Sequence, residues 1–145
     1  MDYNFVTTRL ATGGAIKDDK DVQELSKAGI THIIDCRLEY DDAPLLTTTS
    51  ISYLFNGVND DGKPKLPDWF KKSIEFALEA LSKPKNKVYA HCAAGVNRGP
   101  STAFAILLAQ GISPMEAERM IRQARPVVGL RYKHDAISAV KTLGY

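Results

Sequence analysis

Residues 88–110, VYAHCAAGVNRGPSTAFAILLAQ, constrain the fold more than any other part of the chain. A short apolar run ends at a cysteine, small and uncharged residues follow, and from Gly99 to Gln110 the sequence is apolar on nearly every side. A helix without a polar face must be enclosed. The segment therefore reads as a strand, a tight loop and a helix buried in the middle of a domain. Strand-like and helix-like stretches alternate elsewhere, which predicts an α/β fold: a central mixed β-sheet flanked by helices, with this strand–loop–helix unit at its centre. A chain of 145 residues, 44% hydrophobic and 25% charged, suits one domain over residues 1–145.

The other elements follow from local signals. Phe5 to Ala11 reads as one extended stretch, and Asp19 to Ala28 as an acidic-headed helix ended by Gly29. THIIDC is a buried strand, RLEYDDAP a polar connection and ISYLF a second strand. NGVNDDGKPKLP is a long loop rich in turn residues. Pro67 opens a helix whose buried face is Phe70, Ile74, Ala77 and Leu81, and KVYAHC is the next strand. Gly111 ends the central helix, and Ser113, Pro114 and Glu116 form a capping box that starts a helix to about Ala124. A last helix lies near Tyr132 to Leu143.

Several functional classes are disfavoured. A net charge of +2 does not suit a protein held to nucleic acid by bulk charge. The two cysteines, Cys36 and Cys92, have no partners at metal-ligand spacing, so neither a disulfide framework nor a metal site is expected, and Cys36 reads as a core thiol. The stretch MDYNFVTTRL has no secretory leader pattern, and the longest apolar run, Ala103 to Ala109, is too short to span a bilayer. A soluble, cytoplasmic protein with no membrane partner is the expectation.

Chemistry concentrates where the strand meets the central helix. Unpaired N–H groups at a helix N-terminus attract an anion, Gly95 permits a turn that a side chain would obstruct, and small neighbours allow close approach. Ala93, Ala94, Gly95, Val96, Asn97 and Arg98 thus form a candidate phosphate-binding loop. The same field favours the thiolate of Cys92, and the Arg98 guanidinium can grip two phosphate oxygens.

His91-Cys92-x-x-Gly95-x-x-Arg98 resembles the active-site signature of the cysteine-dependent protein tyrosine phosphatase superfamily, most nearly its small dual-specificity branch. The likeness extends from LATGGAI through GITHIIDCR to ISPMEAERMIRQARP. It implies that Cys92 attacks phosphorus and that Arg98 and the loop amides hold the phosphoryl oxygens, with His91 orienting the loop. It also implies a general acid on the upstream loop, which VNDDG places at Asp60, with Asp61 as its immediate rival. No cofactor or metal is implied, and the partner is a phosphorylated protein bearing phosphotyrosine and, as a further class, phosphoserine or phosphothreonine. GVNR is also similar to RNA 5′-triphosphatases, the one case in which nucleic acid would be a substrate. A phospho-binding module with weak turnover is the non-enzymatic alternative. The hydroxyl residue that usually follows the arginine is replaced by Gly99, which predicts slow breakdown of the intermediate unless Ser101 substitutes. RPVVGLRYKH, with Arg119 and Arg122 before it, reads equally as a basic substrate rim or as a solvated face.

Overall fold

The computed structural model describes all 145 residues. Along the chain come β1 (Tyr3–Phe5), β2 (Leu10–Gly13), α1 (Asp19–Lys27), β3 (His32–Arg37), α2 (Ala43–Leu46) and β4 (Ser52–Val58). They are followed by α3 (Pro67–Leu81), β5 (Val88–His91), α4 (Arg98–Ala109), α5 (Pro114–Ala124) and α6 (Lys133–Leu143). The strands form one mixed sheet in the order β1-β2-β5-β3-β4, with β1 antiparallel to β2 and the other four mutually parallel. Because the chain returns to place β5 between β2 and β3, the C-terminal end of β5 opens where strand order reverses. Open α/β sheets characteristically bind ligands at such a point.

Both faces of the sheet are covered. Ile34, Val88 and Ala90 meet Phe104 and Leu107 of α4, Ile74 and Ala77 of α3, and Ile121 and Ala139 on one side. Ala11, Ile33 and Tyr89 pack with Val22 and Leu25 of α1 and Leu46 of α2 on the other. Every residue of α4 from Arg98 to Leu108 is buried, which explains its lack of a polar face. No helix is long and apolar enough to cross a membrane.

Three local readings are corrected. The stretch from Phe5 to Ala11 is a hairpin, because the Thr7 hydroxyl accepts from the N–H groups of Arg9 and Leu10 (3.1 and 3.0 Å) and turns the backbone. RLEYDDAP is no simple connection: Asp41 accepts from Ala43 N (2.9 Å), and a single helical turn, α2, follows. The capping box is only half made. Ser113 accepts from Glu116 N at 3.3 Å, whereas the Glu116 carboxylate pairs with Arg119.

Burial ranks the expected cost of truncation. Phe104→Ala should lower unfolding free energy by about 3–5 kcal/mol, as for a large core side chain. Met115→Ala, at a side chain 85% exposed, should change it by under about 0.5 kcal/mol. Urea denaturation checks both, and equal losses would contradict this packing.

Candidate functional site

The loop from Ala93 to Asn97 joins β5 to α4, and its peptide groups are systematically oriented. Ala15 N donates to the Ala93 carbonyl (3.1 Å), and Gly129 N and Leu130 N donate to that of Val96 (2.8 and 3.2 Å). Arg125 serves the two carbonyls between them, with Nη2 to Ala94 O at 3.0 Å and Nε to Gly95 O at 2.8 Å. The Asn97 carbonyl accepts from Ser101 N (2.8 Å). The N–H groups of residues 93–97 donate to no acceptor in the protein. Carbonyls fixed outward and amides left free make an anion-binding concavity at the head of a helix. Gly95 has φ +68°, and a Cβ there would lie 2.6 Å from the Arg125 guanidinium, so only glycine fits.

Cys92, nearly buried, stands at the entry to this loop with its N–H on Gly13 O (3.3 Å). Arg98, 5% exposed, opens α4. Its two terminal nitrogens bind the Glu39 carboxylate (Nη1–Oε1 2.7 Å, Nη2–Oε2 2.9 Å), and Nη1 also donates to Val58 O (2.9 Å). Two N–H groups remain, one on Nη2 and one on Nε, and the Nε is buried without a partner. Hydrogen bonds from Arg98 hold the Glu39 carboxyl down at about 2, against a smaller opposing effect of burial. Sequence reasoning passed over Glu39, one of several acids in a polar connection with nothing in its spacing to distinguish it.

The two candidate acids face different ways. Asp60 Oδ2 accepts from Asn97 Nδ2 of the loop (3.2 Å), and Oδ1 accepts from Tyr132 OH (2.7 Å) and Arg131 Nη1 (3.1 Å). Burial pushes its carboxyl up, but the bonds from Tyr132 and Asn97 and the Arg131 charge outweigh it and hold the group below the ordinary aspartate range. Asp61 turns away to Lys63 N (3.0 Å) and Lys65 Nζ (2.9 Å). Tyr132 and Arg131 are thus part of the site's frame, which their place in a locally basic segment did not reveal. The neighbouring bases make no free rim. Arg122 binds Glu118 (2.8 Å), Lys133 binds Glu118 (3.1 Å), Arg119 binds Glu116, and Arg125 is buried behind the loop on Asp2 and Asn4.

His91 is fully buried, with Nε2 2.5 Å from Asp42 Oδ2 and Nδ1 3.3 Å from the Cys92 carbonyl. Asp35, Asp42 and His91 lie close enough together to hold a cation, and the Arg37 guanidinium, on both carboxylates, already supplies one. Cys36 is a free, fully buried thiol 3.4 Å from the Thr102 hydroxyl, and burial pushes it far above the usual range. A Cβ on Gly99 would lie 2.9 Å from the Cα of His91. Glycine there lets α4 approach β5, so a serine could not be added without parting them. The Ser101 hydroxyl is buried and accepts from Tyr132 N (3.3 Å); it makes no bond to the Cys92 sulfur.

The chain is similar to known proteins both in sequence and in fold. A family model described as the dual specificity phosphatase catalytic domain matches residues 14–137. Human dual specificity protein phosphatase 22 is 32% identical over 96 residues, covering 66% of this chain and 49% of that protein. Human dual specificity protein phosphatase 8 is 31% identical over 104 residues, covering 58% of this chain and 16% of that protein. The chain therefore spans half or less of the length of these two relatives. Among solved structures, that of PTPMT1 superposes with a TM-score of 0.79 at 20% identity, covering 97% of this chain and 95% of that one. The human tyrosine phosphatase-like serine/threonine/tyrosine-interacting protein gives 0.78 at 19% identity, covering 98% and 95%. Those last two likenesses carry the fold and the family match carries the relationship: the chain belongs to the dual specificity phosphatases, within the cysteine-dependent protein tyrosine phosphatase superfamily.

Proposed function

We propose that the domain hydrolyses phosphate monoesters on protein tyrosine, and on serine and threonine, through a phosphocysteine intermediate. The observation that carries this is the set of free donors around Cys92. Five loop amides have no protein acceptor, and the Arg98 Nε is buried with no partner. A tetrahedral dianion is the ligand that such donors suit, and a donor left buried and unpaired is costly.

The Cys92 thiolate attacks phosphorus in line, an S–P bond forms, and the bond to the ester oxygen breaks. Asp60 gives its proton to the departing oxygen. A water then attacks the phosphocysteine and loses its proton to the Asp60 carboxylate; the S–P bond breaks, releasing phosphate and the thiolate. Asp60 rests as a carboxylate among donors, the form required for the second step. For the first it must be protonated, which a bound phosphoryl dianion favours by placing negative charge beside it. Glu39 holds the Arg98 plane by its far edge while leaving Nε free. Leu38 and Tyr40, both exposed, flank Glu39. An aromatic leaving group suits that apolar border.

Phosphate release from phosphotyrosine, phosphothreonine and phosphoserine peptides, 5′-triphosphate RNA and phosphoinositides, all with chelator present, tests the reading. Phosphotyrosine peptide should be turned over, and Cys92→Ser should abolish turnover while still binding the peptide, since a hydroxyl does not ionise as a thiol does. Turnover confined to RNA would replace the protein substrate, and binding without turnover by the wild type would leave a phospho-binding module.

The acid is tested separately. Asp60→Asn should slow phenyl phosphate hydrolysis by ~10²–10⁴ and activated esters less, because good leaving groups need little protonation. It should also remove the limb on which kcat falls as pH rises and the acid loses its proton. Asp61→Asn, altering a group that faces Lys65, should be mild. The opposite pattern would exchange the two roles.

A further inference from the structure

Behind the loop, on the α1–α2 side of the sheet, four ionisable side chains are almost wholly removed from water: Asp35, Arg37, Asp42 and His91. Asp35 lies opposite His91 in the β3–β5 ladder. Asp42 occupies the residue before α2 but makes no side-chain cap bond; its carboxylate turns inward instead. Oδ1 accepts from Arg37 Nη2 at 2.7 Å and Oδ2 stands 2.5 Å from His91 Nε2. Arg37 also binds Asp35 through Nε (3.1 Å) and Nη2 (3.4 Å).

Counting hydrogens gives one constraint. Nε2 of His91 faces a carboxylate oxygen and Nδ1 faces the Cys92 carbonyl at 3.3 Å. A neutral imidazole carries a single N–H, so one contact would set lone pair against lone pair unless an extra proton is present. Counting charge gives a second. Two buried carboxylates with one guanidinium leave one negative charge uncompensated in a dry site, and a further proton removes it.

Two places compete for that proton, Asp35 and the His91–Asp42 pair. Asp35 is pushed up by burial and held down by Arg37, with a net rise. Yet its oxygens already accept from Arg37 N (3.1 Å), the Arg37 guanidinium and Asp42 N (3.3 Å), and Oδ2 lies 3.2 Å from the Tyr53 oxygen. A proton on Asp35 Oδ2 would meet only the Tyr53 oxygen, at 3.2 Å, whereas His91 and Asp42 stand 2.5 Å apart. Tyr53 stays a phenol, burial pushing it far up, and its hydroxyl is nearer Asp41 Oδ1 (2.7 Å). Tyr89, stacked on His91 with ring centres 5.2 Å apart, gives its hydrogen to Gly14 O (2.6 Å). The contact between His91 and Asp42 is the shortest in the cluster and the place where a shared proton is held best.

We infer that the His91–Asp42 pair holds a buried proton at neutral pH, and that Asp42 is a positioning residue for the Cys92 reaction, acting through His91. This rests on the reading of Cys92 as nucleophile. Asp42 fixes the ring with N–H groups on both sides, so that Nδ1–H secures the Cys92 carbonyl. The resulting imidazolium charge sits one residue from the sulfur and favours the thiolate.

Nitrogen-15 NMR of the histidine side chains in the whole protein tests the proton without reference to turnover. At pH 7.5, His91 should show two protonated ring nitrogens, and Asp42→Asn should convert it to a neutral ring. In the same variant, inactivation by iodoacetate at pH 6 should slow by about tenfold and at pH 9 hardly change. Asp42→Glu should restore part of the pH 6 rate, which a merely structural defect would not predict. A neutral single tautomer for His91 in the wild type at pH 7.5 overturns the proposal even if Asp42→Asn fails to fold. An unchanged pH 6 inactivation rate in folded Asp42→Asn overturns the positioning role. A doubly protonated His91 in a protein whose Cys92→Ser form keeps full turnover would support the buried proton and refute Cys92 as the nucleophile.

Discussion

A peptide group that turns its N–H toward a ligand must turn its carbonyl the other way, and that carbonyl needs a partner of its own. In the loop from Ala93 to Asn97 the requirement applies at every residue, and much of the surrounding architecture answers it. The N-terminal hairpin brings Asp2 and Asn4 to Arg125, whose guanidinium reaches the Ala94 and Gly95 carbonyls. The segment after β2 supplies Ala15 N, and the connection from α5 to α6 supplies Gly129 N and Leu130 N. Arg125, 2% exposed, is therefore part of the loop's wall although it lies in a different element. Loss of its side chain would leave two carbonyls and a carboxylate without their partner.

The electrostatics have the same two-sided character. The start of α4, Arg98 and the loop amides concentrate positive potential in front of Cys92. Glu39 and Asp60 occupy the edges of that field, each held as a carboxylate by the cations and donors beside it. Behind the sheet, Asp35 and Asp42 surround Arg37 and His91. Charge is thus balanced locally on both sides of Cys92, which lets so many ionisable groups be buried together.

What the sequence makes legible is what short-range physics determines. β5, the loop, α4 and the glycine at 95 are contiguous, and an apolar strand running into an apolar helix has few other ways to fold. Asp60 was reachable through the family's spacing, but its contact with Asn97 of the loop and the turn of Asp61 toward Lys65 were not. The partners were not legible. Arg125 and Asp2 are 123 positions apart, and Arg98 and Glu39 are 59 apart. A surface-looking acid in a polar connection has the same local signature whether it meets water or a buried arginine. Asp42 illustrates the point, since its neighbours in EYDDAP suggest only a turn. The motif shows that Gly99 lacks a hydroxyl but not why a glycine stands there: its smallness serves the contact between α4 and the backbone of His91, a tertiary demand invisible in the sequence.

The account stands on Cys92 forming a covalent bond to phosphorus. Mixing the wild-type protein with phosphotyrosine peptide, quenching with denaturant during turnover and mapping the digest by mass spectrometry tests this most directly. A phosphoryl group on the peptide containing Cys92, present during turnover and gone once substrate is exhausted, is the predicted result. Steady release of phosphate with no adduct at any quench time, or with the adduct on another residue, would contradict it.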